Sequence, residues 1–122
     1  LFINTKIAFS LFCSYNLLDV KNGCNYNKIM EIEYDSEKRQ VTIEERGLDF
    51  EDAPIIFASS RRITWQDNRQ DYGEIREITL GELAGRLVII VHTQRGNATR
   101  IISMRKANEK EQNWFEKQFT ES

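Results

Sequence analysis

The chain has 122 residues, 40% of them hydrophobic and 30% charged, with a formal net charge of −2. That length supports one modest core and excludes a separate cofactor-binding domain. The acidic balance excludes binding nucleic acid through overall charge, so any such surface has to be a local patch.

Cys13 and Cys24 lack CxxC spacing and mark neither a disulfide framework nor a zinc site. They read as free or disordered thiols. A single histidine, His92, excludes a multi-histidine metal centre.

The first 29 residues differ in character from the rest. Ile7 to Cys13 follows Lys6 and imitates a short signal-peptide core, but it is too short to span a membrane and no clean small-residue cleavage site follows. Asn16 to Lys28 is rich in Asn and Lys and reads as loop or disorder. Residues 1–29 are therefore expected to be a disordered or artefactual extension, with Met30 as the biological start and one domain over residues 30–119. Without the extension, which holds three lysines against Asp19, the chain keeps 14 basic and 18 acidic side chains.

From Met30, Ile32 and Tyr34 alternate with Glu31 and Glu33, the pattern of a half-buried strand. Asp35 or Ser36 can cap a helix that Gly47 ends, with Val41 and Ile43 as its apolar face. Phe50, Ala53 and Phe57 recur at helical spacing, and Pro54 requires that second helix to begin near Asp52. Ile63 and Trp65 mark a strand, followed by the polar loop QDNRQDYG and a second strand from Ile75 to Leu80. Gly81 and Gly85 bracket a turn. Leu87 to Thr93 is apolar on both faces and is expected at the centre of the sheet. Gly96 and Asn97 suit positive φ in a hairpin turn before a return strand from Thr99 to Met104. Residues 107–119 read as a helix that places Trp114, Phe115 and Phe119 in the core. The expectation is an α+β domain: an antiparallel meander with two N-terminal helices and one C-terminal helix, packed as a single helix layer.

The blocks YDSEKRQ, RGLDFEDA, DYGEIREITLG and VHTQRGNATRIISMRKA, in this order and spacing, resemble the BrnT toxins of bacterial toxin–antitoxin pairs. The most specific part is Arg100 to Ala107, preceded by the turn Thr93-Gln94-Arg95-Gly96. The resemblance implies a twisted sheet like that of RelE-type ribonucleases, no metal or organic cofactor, and a cytoplasmic protein that cleaves RNA and halts translation. It also implies a cognate ribbon-helix-helix antitoxin as partner, with DNA engaged only through that antitoxin and no membrane contact. Departures fall on chemically important places. Thr42, Glu45 and Arg46 stand where the family has Asn, Lys and His, and Phe115 stands where an aromatic hydroxyl is frequent.

Metal-free RNA cleavage needs a base, cations to steady the phosphorane, and an acid. Arg105 is the residue chosen to stabilise the transition state, since its planar fork matches two phosphate oxygens. With Lys106 it equally forms a solvated strand end pairing with Glu109 or Glu111. Glu74 and Arg76 share a strand face and suit a base and an electrophile, or a surface ion pair. His92 has the right intrinsic pKa, yet its apolar strand also suits packing. Arg46, Arg95, Arg100 and Lys106 are the phosphate-binding candidates, Arg46 also fitting a helix-end cation. Residues 95–110 carry a net +4. The leading expectation is a ribonuclease toxin; the alternatives are a catalytically inactive toxin-like binding module that serves operon repression, and an unrelated structural domain.

Overall fold

The computed structural model describes residues 5–11 and 29–120. Its elements, in chain order, are β1 (Thr5–Leu11), β2 (Ile29–Asp35), α1 (Ser36–Arg46), a 3-10 turn (Phe50–Asp52), α2 (Ala53–Ala58), β3 (Arg62–Gln66), β4 (Arg76–Leu83), β5 (Arg86–Arg95), β6 (Ala98–Lys106) and α3 (Glu109–Thr120). They form a six-stranded sheet in the order β1-β2-β6-β5-β4-β3. The expected meander is present as β3 to β6, every neighbour antiparallel. The sheet is nevertheless mixed, because β2 runs parallel to β6 from Ile32–Thr99 to Tyr34–Ile101. A parallel neighbour requires a long crossover, and α1 and α2 provide it.

Residues 5–11 depart from the expected disordered extension: they pair antiparallel with β2, from Thr5–Asp35 to Leu11–Ile29. The unpaired backbone row of β2 is a template for such a strand. Cys13, Cys24 and the stretch Asn16–Lys28 lie outside the described residues.

Helices cover both faces of the sheet, which corrects the single-layer expectation. On the first face, Phe50, Ala53 and Ile56 pack on Ile32, Tyr34, Val88, Ile90, Ile101 and Met104. On the second, Phe115 of α3 packs with Ile78, Leu80, Ile89 and Val91. This explains why β5 is apolar on both sides: successive residues feed two different cores. Only Phe115 of the three C-terminal aromatics is fully buried; Trp114 is 43% and Phe119 38% exposed. Phe115 and Phe119, four residues apart, share one helical face, whereas Trp114 is turned about 100° from Phe115.

Local chemistry sets the boundaries. Asp35 caps α1 by accepting from the Glu37 and Lys38 amides, and Gly47 closes it at φ 66°. α1 buries Thr42 rather than Val41, which is 47% exposed. The Thr42 hydroxyl donates to the Lys38 carbonyl, so its burial leaves no unmet polar atom. Asn108 and Glu111 exchange hydrogen bonds as a capping box at the start of α3. Gly81 does not start a turn. β4 runs through it to Leu83, and a Cβ there would lie 2.9 Å from Ile56 Cγ2, so α2 can approach only over glycine. The turn is instead Ala84–Gly85, both at positive φ, and at the next hairpin Gly96 but not Asn97 takes positive φ.

Candidate active site

α3 covers only one end of the second sheet face. The register leaves a transverse row beyond it: Glu33 on β2 pairs with Arg100 on β6, Arg100 with Thr93 on β5, and Thr93 with Arg76 on β4. Paired positions point to the same side, so one row carries Glu33, Arg100, Thr93 and Arg76 on four adjacent strands. Arg95 stands two residues on from Thr93 and shares that side. Ion pairs knit the group together: Arg100–Glu33 at 3.6 Å, Arg95–Glu74 at 3.5 Å and Arg76–Glu74 at 2.9 Å. Glu74, Arg76, Arg95 and Arg100, with Asp35 and Lys38, line one concavity.

Arg76 and Thr93 are positioned from behind. The Arg76 guanidinium lies 4.2 Å from the Tyr72 ring centroid, a stacked geometry that holds its planar fork. Tyr72 belongs to the loop between β3 and β4, which is organised by buried Asp67. The Asp67 carboxylate accepts two hydrogen bonds from the Arg69 side chain and one from the Arg69 amide, and its own amide donates to the Arg76 carbonyl. Those bonds, the Arg69 side chain first, hold the Asp67 carboxyl well below the usual carboxylate range. Thr93 Oγ1 donates to the Ile75 carbonyl and ties the strand end to the loop. The bond from Arg76 likewise pushes the Glu74 pKa down, so Glu74 is a carboxylate at neutral pH.

Lys38 reaches the site from α1. β2 stops pairing with β6 at Ile101, and α1 then runs beside the exposed β6 edge. Two side chains meet the carbonyls left there: Lys38 Nζ donates to Ile102 at 2.5 Å and Arg46 Nη1 to Met104 at 2.9 Å. Desolvation, followed by the charges of Arg76, Arg100 and Arg46, lowers the Lys38 pKa.

The structure therefore brings Glu74, Arg76, Arg95 and Arg100 together and places the other predicted residues elsewhere. Arg105 shares their sheet face but stands in the row of Ile89, four residues along β5 from Thr93, or about 13 Å. Glu111 holds it with two bonds of 2.8 Å. That is the pairing the strand-end alternative anticipates. Lys106 is exposed on the opposite face, in register with Val88. Arg46, in the last turn of α1, donates to the Met104 carbonyl on the β6 edge. His92 also faces the opposite side, buried against Phe57 with Nε2 bonded to Thr79 Oγ1 at 2.8 Å. Desolvation lowers its pKa to about 4, so it is neutral at pH 7.

Sequence reasoning missed Glu33, Lys38, Asp67, Tyr72 and Thr93. Lys38 and Tyr72 lay within blocks already singled out, YDSEKRQ and DYGEIREITLG. Glu33 had no such signal beyond strand alternation, because its partner Arg100 is 67 residues away.

A row of guanidinium groups interleaved with carboxylates defines a site for an anionic, hydrogen-bonding ligand. The family model for ribonuclease toxin BrnT of type II toxin–antitoxin systems matches residues 34–111. The chain belongs to this family of ribonuclease toxins, and as such has an antitoxin counterpart. A comparison with individually curated proteins finds no match. Among the described residues, no helix is long and apolar enough to cross a membrane.

Proposed function

We propose that residues 30–119 form a RelE-like, metal-independent endoribonuclease domain that halts translation in the cytoplasm and is silenced by a ribbon-helix-helix antitoxin. The observation that carries this is the Glu33–Arg100–Thr93–Arg76 row on the uncovered sheet face, with Glu74 and Lys38 at its edge. RNA supplies its own nucleophile, so the protein need only move two protons and stabilise charge. Glu74 takes the proton of the 2′-hydroxyl, and the freed oxygen attacks the adjacent phosphorus. Arg76 and Arg100 hold the non-bridging oxygens as negative charge builds there. The bond from phosphorus to the 5′-oxygen breaks, and Lys38, whose pKa is lowered, returns a proton to that oxygen. The products are a 2′,3′-cyclic phosphate and a 5′-hydroxyl. Arg95 is proposed to hold a flanking phosphate, and Arg105 one further along the strand. His92 and Arg46 act in packing and edge capping.

The test is cleavage of single-stranded RNA by the purified chain. Arg76→Ala is expected to lower the rate at least about 100-fold, the scale of losing one preorganised charge partner, with unchanged circular dichroism. Arg105→Ala is expected to keep the fold and relieve growth arrest on induced expression. An Arg76→Ala protein that cleaves at the full rate removes the Arg row from the chemistry. A second reading, an inactive module kept for antitoxin binding and operon repression, is favoured by two observations: Glu45 and Arg46 stand where the family resemblance expects a Lys-His pair, and His92 is turned away. Intact RNA and normal growth at high levels of the wild-type chain would establish that reading instead.

A further inference from the structure

Between β3, β4 and α3, on the same sheet face as the Arg row, lies an open groove of about 560 Å³. Its walls are Ile63, Trp65, Leu80 and Trp114, with Lys110 and Glu111 at the mouth. The two indoles meet edge to face, centroids 5.6 Å apart at 76°. They are the only tryptophans in the sequence. Phe115 alone anchors α3 in the core, so the adjacent Trp114, 43% exposed, lies against Trp65 with part of its surface left to water. An apolar concavity left open in this way marks an interaction site.

Its surroundings identify the occupant. Trp65 pairs with Ile78, which is two residues beyond Arg76 on β4. The Trp65 Cα is thus one strand across and one side-chain repeat along from Arg76, about 8 Å away. Arg69, from the loop following Trp65, lies close enough to Arg105 for their charges to oppose each other. Lys110 adds another cation at the mouth. An apolar groove walled by two indoles, with Lys110 and Glu111 beside it and Arg76 one strand away, suits a ligand that joins a flat ring to a phosphate, and every nucleotide of a single strand does so.

We propose that the Trp65–Trp114 groove is a nucleobase subsite for single-stranded RNA, in which a base stacks on the indoles beside the phosphate held at Arg76. The subsite extends the RNA-facing role proposed for the Arg row and rests on it. The probe is a short adenylate oligonucleotide with 2′-O-methyl riboses, which binds but cannot be cleaved. Titrated into the full chain, it is expected to quench tryptophan emission saturably, with a midpoint that weakens as salt rises. Trp114→Ala, an exposed change that spares the core, is expected to weaken binding about 5- to 150-fold, the range for losing one base stack. An abasic oligonucleotide of equal length should bind weakly and leave the emission unchanged. Tight binding with unaltered emission, or unchanged affinity in Trp114→Ala, overturns the subsite while sparing the Arg row. No binding of any oligonucleotide overturns both. Quenching by the purified antitoxin alone assigns the groove to a protein partner and overturns the proposal.

Discussion

His92 shows how far a side chain's surroundings can displace its chemistry. In water an imidazole titrates near neutrality and suits proton transfer. Here it is 7% exposed, bonded to Thr79 Oγ1 and flanked by Phe57, so the charged form lacks solvation. Its folded pKa falls to about 4 while the unfolded value stays near 6.5. Between these values the unfolded chain binds more protons, so stability drops as pH falls through 6.5 and levels off below 4. From pH 7 to pH 5 this amounts to about 2 kcal/mol. Urea unfolding at both pH values should show that loss in the native chain, and His92→Gln should remove most of it. An equal loss in the variant would assign the acid sensitivity elsewhere. Sequence alone exposed the residue and both of its possible roles; it could not choose, because the choice depends on which sheet face the ring occupies.

Among the elements, α2 against β4 is the contact most sensitive to a single atom. Gly81 sits inside a strand, where glycine is ordinarily a weakness, and Ile56 of α2 rests directly above it. Gly81→Ala would drive a methyl to 2.9 Å from Ile56 Cγ2 and 3.3 Å from the Ile56 carbonyl oxygen. Ile56 is fully buried and β-branched, so it has little freedom to move. The substitution should cost about 1–3 kcal/mol, the usual penalty of overpacking. Combining it with Ile56→Ala, which removes Cγ2, tests the cause, since a coupled double-mutant cycle is expected and an additive one would refute the contact. In the sequence this glycine reads as a turn signal beside Gly85, because nothing local distinguishes a bend from a close approach. α1 carries a similar lesson: it meets the β6 edge through Lys38 and Arg46, two cations that sequence periodicity assigns to solvent.

At the scale of the molecule, β4 and β5 belong to two cores at once. Neither core can be lost while the strands between them stay packed, so unfolding should be a single cooperative step. Both tryptophans lie on the α3 side, which makes their emission a local report on that core. Tryptophan emission and far-ultraviolet circular dichroism are expected to change together in urea. Phe115→Ala removes the fully buried α3 anchor and should cost about 3–5 kcal/mol. Its emission should also change before unfolding, because α3 no longer holds Trp114 against Trp65. Coincident, unshifted transitions in this variant would show that α3 is fastened by other contacts.

Much of the fold was legible in chain order. Asp35 and Gly47 bound α1, Pro54 placed the start of α2, and the turns between β4, β5 and β6 dictated an antiparallel meander. Alternation and capping are local physics, and local physics is written in neighbouring residues. The parallel docking of β2 on β6, the helices on both faces, and the gathering of Glu33, Arg76 and Arg100 into one row were not legible. Those depend on pairings between residues far apart in the chain, decided when both faces of β5 are buried together. The family membership and the cationic residues thus followed from the sequence by itself. Which of those cations share a surface, and which merely cap an edge or pair with Glu111, was decided only by the tertiary structure, since register sets the side of the sheet to which each side chain points.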